Sequence, residues 1–419
     1  MGMTLTEKIF AKASGKESVK AGEIITANID LAITQDVSTP TIYKGVKELG
    51  GTIWDTERVA TCIDHYSPPS ATWKAQNIKE TIQFVNDYGI KYFYPHQGIM
   101  HVVLPEKGHI RPGELIVGCE SHTVTHGAFG AVAIPIGAPE MVYALVKGSL
   151  WFRIPETILV KVNGKLNFAV LGKDIMLVIL KELGVSGATY KALEFTGTTI
   201  KDLSIDSRIT LTNMSVEAGA KNGIIEPDEK VIDYVKERSQ KPFTVIRPDS
   251  DAQYSRILDI DVSQLTPFVA CPHSPDKLRP VTEVEGVHVD QAFLGTCTNA
   301  RLEDLRIAAK IMKGRKVPHD TRFLIFPGSV EVYRNALKEG LIDVFLEAGA
   351  IVSNSSCGPC GGGHMGVLGD GDVCISSASR NFKGRMGSPS SQVYLGSSAT
   401  VAASGIMGKI TDPRKLLDA

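Results

Sequence analysis

Residues 357–360 read Cys-Gly-Pro-Cys, and Cys297 stands in an earlier stretch, "LGTCTNAR". Thiolates bind soft metals and exchange disulfides, so this arrangement is open to several chemistries. A redox dithiol places its cysteine pair at a helix N-terminus to depress a thiol pKa, and the Gly-Pro interior is compatible with that. A closed zinc site wants four ligands, for which His364 is available four residues beyond Cys360. Cys297 supplies a third thiolate, and three thiolates suit zinc or an iron–sulfur cluster better than dithiol exchange. Three thiols packed merely as small apolar groups would not keep such company, since Gly, Ser and Asn surround them. Seven cysteines, an odd number in a chain without an export signal, also argue against a disulfide framework.

A second set of residues has the types needed for proton transfer. Such groups recur at the expected strand ends: Asp64 precedes His65, Glu120 and Ser121 precede His122, and His101 and Glu217 are placed likewise. A carboxylate beside an imidazole orients the ring and tunes it for general acid work. Taken singly, each such pair is more often structural than catalytic. Asn213 and Glu217 are four apart, one helical turn, so they can face one site. Arg380 and Arg385 flank a glycine turn, and guanidinium forks there are suited to bidentate carboxylate binding, although a lone basic turn is usually only a surface feature.

These residues need elements to hold them, and the chain alternates strand and helix. "VDQAFLG" (289–295) reads as a buried strand. The helix that follows places Leu302, Leu305, Ala309 and Met312 on one face and stops at Gly314. "RFLIFPGS" is a second strand, a helical stretch runs from Val330 to about Ala348, and "GAIVSN" is a third strand just before the cysteine pair. The first part has the same rhythm. "RVATCIDH" is a strand, residues 71–88 are helical with Ile78, Ile82 and Val85 on one face, and "GELIVGCESHTVTHGAFG" opens with a strand ending in Cys119, Glu120, Ser121 and His122 before a glycine-containing turn. A region from about Pro155 to Arg279 carries the helical "RITLTNMSVEAGA" and ends in "FVACPHSPDKLRP", which reads as a linker. Repeated strand, loop and helix units predict an α/β fold with parallel sheets covered by helices, and ligands gather at the C-terminal edge of such sheets.

Composition excludes other classes. The chain has 419 residues, enough for two to four domains, with 43% hydrophobic and 22% charged residues, ordinary for a globular protein. A net charge of −1 without any Lys/Arg block gives no footprint for nucleic acid. No apolar run reaches the length of a membrane span, and the N-terminus lacks a signal core, so a cytoplasmic location is expected.

Taken together, Gln35–Asp36, Asp64–His65, "GIMH" ending at His101, "SHTVTHGAFG", "NMSVE", "GTCTNAR", "CGPCGG" and "RNFKGRMG" resemble the aconitase family of hydro-lyases, in order and over nearly the whole chain. The resemblance implies three aconitase-type α/β domains with parallel or mixed sheets flanked by helices (1–155, 156–284 and 285–419) and an active site at their junction. It implies one [4Fe–4S] cluster per chain held by Cys297, Cys357 and Cys360, whose open iron acts as a Lewis acid on the substrate hydroxyl. It assigns Arg380 and Arg385 to substrate carboxylates. Asp64, His65, His101, Glu120, His122 and Glu217 become the acid–base network, with Gln35, Ser121 and Asn213 completing the shell around substrate. The implied substrate is a hydroxy di- or tricarboxylate, 3-isopropylmalate first, with homoaconitate, citraconate and dimethylmalate as competitors. Family members take the proton from carbon with a serine base on a swivelling domain. No region is left for it after "KITDPRKLLDA", so a small-subunit partner is expected. Glu120, Ser379 and Ala300 depart from the family's usual Asp, Asn and Gly. A zinc- or ligand-binding protein on the same scaffold, or a thiol oxidoreductase, are the readings of other classes.

Overall fold

The structure, a computed structural model, describes residues 2–417. Met1 and the last two positions, at the ends of the first and third expected domains, lie outside the described residues. The chain forms two compact units: Met1–His96, Met100–Asn163 and Ser186–Ile260 make one, and Gln97–Ile99, Gly164–Val185 and Asp261–Ala419 the other. The α/β class expected from the strand–helix rhythm is the class observed.

In the first unit a five-stranded sheet runs in the order Tyr92–Pro95, Val59–Ile63, Leu31–Gln35, Leu115–Gly118, Val132–Pro135, with every pairing parallel. "VATCI" and "LIVG" are buried along their whole length, as strands covered on both faces must be. Crossover helices such as Thr72–Tyr88 provide the cover. Parallel register puts Gln35 opposite Cys62 and Ile33 opposite Gly118, so the loops that begin at Asp36, Asp64 and Cys119 leave the same edge of the sheet. A four-stranded sheet in the order Asn222–Ile225, Lys191–Thr196, Glu156–Asn163, Arg256–Asp261 adds the helix Ile205–Asn213 and the 3-10 turn Met214–Ala218. An antiparallel ribbon joins Ile24–Asn28 to Ser149–Arg153.

The second unit is built on a mixed seven-stranded sheet. Its parallel part places Gln291–Leu294 between Arg322–Ile325 and Val373–Ser376, with Ile351–Val352 beyond the former. The loops carrying Cys297, Cys357 with Cys360, and Arg380 therefore all leave the C-terminal edge of the parallel part of this sheet.

Three expectations are corrected. The stretch expected to be a linker folds as a hairpin, Phe268–Ala270 with Leu278–Pro280, which extends the seven-stranded sheet antiparallel against Gln392–Gly396. Its short strands and prolines suit a sheet margin, where a missing N–H is tolerated. The helical stretch after Val330 is two helices, Val330–Lys338 and Leu341–Ala348, separated at Gly340, whose φ is +71°. His101 and Glu217 stand not at strand ends but in the helix Met100–Glu106 and a 3-10 turn. Among the described residues no helix is long and apolar enough to cross a membrane.

Candidate active site

The expected residues divide between the two units, and in the first unit they form a connected hydrogen-bond network. In the first, Asp36 closes the loop after its strand by accepting from the backbone N–H groups of His65 (3.2 Å) and Tyr66 (2.7 Å). That turns the next loop so that Asp64 Oδ1 meets His65 Nδ1 at 2.7 Å while Oδ2 accepts from Met100 N at 2.9 Å. Burial and the charge of Asp64 push the Asp36 carboxyl up to about 6. Burial alone would raise Asp64 as well, but the charge and hydrogen bond of His65 bring it below the usual carboxylate range.

Glu120 is the hub of the remaining groups. Its Oε2 lies 2.8 Å from His101 Nε2 and accepts from His122 N (2.6 Å); its Oε1 lies 3.2 Å from His122 Nδ1 and accepts from Ser121 Oγ (2.9 Å). Burial opposes ionisation here, yet the charge of His122 and the hydrogen bonds from both imidazoles hold this carboxyl well below its ordinary value. Beyond it, His122 Nε2 stands 3.2 Å from Glu217 Oε1. The scaffold under this network is a 3-10 helix, Ser121–Phe129, with Glu120 as its cap. Gly127 makes that packing possible, because a Cβ there would lie 1.6 Å from the carbonyl oxygen of Gly223. Asn213 Nδ2 donates to Thr125 Oγ1 at 2.8 Å, and Thr212 Oγ1 donates to the Thr125 carbonyl, tying the helix Ile205–Asn213 to the same turn. Gln35 is occupied locally: its Oε1 accepts from Val37 N and Ser38 N, and its Nε2 reaches Cys119 O at 3.4 Å.

In the second unit Arg301 wraps the Cys297 loop, donating to the carbonyls of Cys297 (2.8 Å) and Thr298 (2.7 Å). Ala300 has φ +73°, a left-handed conformation that glycine adopts freely and alanine does not. Ser377 Oγ bridges Gly295 N and Gly295 O, and the buried Lys173 donates to Ser377 O (2.6 Å) and Ala378 O, fixing the loop that carries Ser379 and Arg380. Asn381 Nδ2 donates to Cys271 O (2.9 Å) and Val393 O (3.1 Å), so the hairpin taken for a linker anchors the "RNF" turn. The stretch that follows Cys-Gly-Pro-Cys packs on the Arg385 loop: Leu368 N donates to Met386 O, and a Cβ on Gly362 (φ +67°) would meet Arg385 O at 3.0 Å.

Cys297 and Cys360 are buried, Cys357 is half-buried, and all three are free thiols. Around them, the hydroxyls of Ser355 and Ser356 and Nε of Arg385 are buried with no hydrogen-bond partner among the described residues. Soft ligands bordered by unused donors suit an iron–sulfur group, whose sulfides accept hydrogen bonds. Cys357 caps a 3-10 turn, Gly358–Gly361, that contains Cys360, and no α-helix N-terminus is there, which removes the helix that a redox dithiol depends on.

The residues that the sequence reading left out of the site are Asp36, His126 and Lys173. Asp36 and His126 lie inside motifs already singled out, but what distinguishes them is complete burial, which single-residue type does not reveal.

Comparison with known families places nearly the whole chain in a single class. The model of the aconitase family (aconitate hydratase) matches residues 7–286 and 277–408. The chain belongs to the aconitase family. Its curated relatives are more particular. It is 50% identical to the probable 3-isopropylmalate dehydratase large subunit of Methanothermobacter thermautotrophicus, over 99% of this chain and 100% of the relative. It is 47% identical to the 3-isopropylmalate dehydratase large subunit of Aquifex aeolicus, over 100% and 99%, and 47% identical to 3-isopropylmalate dehydratase large subunit 1 of Methanopyrus kandleri, over 100% of both.

Proposed function

We propose that this chain is the cluster-bearing large subunit of a hydro-lyase that interconverts 3-isopropylmalate and 2-isopropylmalate by loss and return of water. The observation that carries the reading is Glu120 held between His101 and His122, a ready-made proton network, in a chain half identical over its full length to a named 3-isopropylmalate dehydratase large subunit.

Cys297, Cys357 and Cys360 would hold a [4Fe–4S] cluster, which supplies a Lewis-acidic iron for the departing hydroxyl. Arg380 and Arg385 bind substrate carboxylates with planar forks of N–H donors. With its Nδ1–H held by Asp64, the protonated ring of His65 gives its Nε2 proton to a substrate oxygen and returns to the neutral Nδ1–H form. Glu120 keeps His101 and His122 oriented, and Glu217 steadies His122 from its far side. Gln35, Ser121 and Asn213 complete the polar lining. A small subunit with a swivelling domain delivers the serine base that removes the proton from carbon. The three-domain division at residues 155 and 284 belongs to this proposal, supported by one principal sheet per segment with the hairpin Phe268–Pro280 joining the third. A cytoplasmic location belongs to it as well.

The test is anaerobic purification with the cognate small subunit, followed by assay against a panel of malate derivatives. The expected result is a brown protein with about four irons and four sulfides per chain and preference for 3-isopropylmalate. Stoichiometric zinc without iron, or full activity of the isolated chain, overturns the proposal.

A further inference from the structure

His126 has no role in the chemistry so far, yet it is fully buried one shell behind His101. Its Nε2 lies 3.2 Å from His101 Nδ1, with the two rings 5.1 Å apart, and its own Nδ1 has no hydrogen-bond partner among the described residues. The residue cannot drift, because Gly127 next to it is pressed against the backbone of Gly223 and Thr125 before it is held by Thr212 and Asn213.

The protons in this chain of groups can be assigned from one end. Glu120 is ionised and can only accept, so His101 Nε2 carries a hydrogen and donates to it. In a neutral His101 the other nitrogen, Nδ1, is then an acceptor, and the group facing it, His126 Nε2, must donate. His126 Nδ1 is left with a lone pair, the cheaper of the two things to bury unpaired. If His101 took up a second proton at Nδ1, His126 would have to accept through Nε2 and carry its hydrogen on Nδ1, where nothing receives it. Burial also keeps His126 itself from protonating. The charged and titratable groups facing His101 are Glu120, His126 and, through its charge, Asp64.

We propose that His126 is a positioning residue that locks His101 as the neutral, Nε2-protonated tautomer aimed at Glu120. It touches no reacting atom and acts only through His101. The inference rests on the proposed proton network, and one arm of its test does not depend on turnover.

The experiment compares His126→Leu and His126→Gln in the reconstituted two-subunit enzyme. Glutamine offers an N–H near the position of His126 Nε2, whereas leucine keeps bulk alone. The expected result for His126→Leu is a fall in kcat of about 10- to 100-fold with KM and iron content unchanged, and for His126→Gln recovery to within about threefold of the parent. In parallel, side-chain 15N shifts of histidine in the unsubstituted protein should show His101 neutral and protonated at Nε2 across neutral pH, with that population disturbed by His126→Leu. Parental kcat in His126→Leu overturns the proposal, as does an equal loss in both variants, or a His101 protonated at Nδ1. If the parent turns over no malate derivative, the functional reading fails, while the 15N shifts still decide the tautomer.

Discussion

Glu120 accepts four hydrogen-bond contacts, from His101, Ser121 and, twice, His122, so a single charge fixes the orientation of two imidazoles. Glu120→Gln keeps the shape but replaces one acceptor oxygen with a donor, and at least one of the two rings must turn or lose its partner. The expected loss is about 10²–10³-fold in kcat, with destabilisation of about 1–3 kcal/mol for a disturbed buried network; kinetics and urea denaturation measure the two separately. Unchanged kcat would remove Glu120 from the proton network. The sequence exposed the parts of this site whose partners are neighbours in the chain. Asp64 beside His65 and Glu120 beside His122 could be read directly, whereas His101 with Glu120 and His122 with Glu217, separated by 19 and 95 residues, could not be paired before the fold was known. Asp36 and His126 were passed over for the same reason, since their significance lies in burial and in distant partners.

At the scale of elements, Glu194 shows how one buried group couples secondary structures. It sits on the strand Lys191–Thr196, accepts from Leu5 N at the start of the helix Leu5–Ser14 (3.1 Å), and accepts from Tyr254 Oη (2.8 Å). Burial pushes its carboxyl up to about 7, above its ordinary value of 4.5. Because the folded state holds this proton more tightly than the unfolded chain, its contribution to stability is full below pH 4.5 and is lost as pH rises through about 7. Glu194→Gln removes the titration while keeping an oxygen for Leu5 N, so stability between pH 5 and 8 should fall by about 1–3 kcal/mol less than in the parent. Chemical denaturation at several pH values checks this, and parallel curves for the two proteins refute it. Local pattern had revealed the strands and single helices well: the helix expected over 71–88 is Thr72–Tyr88, and the strand expected over 289–295 is Gln291–Leu294. The hairpin Phe268–Pro280 was missed because its short strands are defined by pairing with Gln392–Gly396, more than a hundred residues on.

Across the whole molecule, the proposed site residues divide between the two compact units. Cys297, Cys357, Cys360, Arg380 and Arg385 belong to one unit, whereas Asp64, His65, His101, Glu120, His122 and Glu217 belong to the other. Each set is fixed by bonds inside its own unit: Arg301, Ser377 and Lys173 hold the thiol and arginine loops, and Asp36, Thr125 and Asn213 hold the acid–base loops. Substitutions should therefore separate cleanly. Cys297→Ser should reduce bound iron to a small fraction of the parental content, because two thiolates and a hydroxyl do not replace three thiolates. The first unit should keep its fold, as read by amide exchange protection of Val59–Ile63 and Leu115–Gly118. Asp64→Asn should do the reverse, leaving iron content and visible absorbance at parental levels while kcat falls by about 10²-fold or more. Parental iron in Cys297→Ser would strike out the three-thiolate assignment. Iron lost in Asp64→Asn would show that assembly of the cluster depends on Asp64.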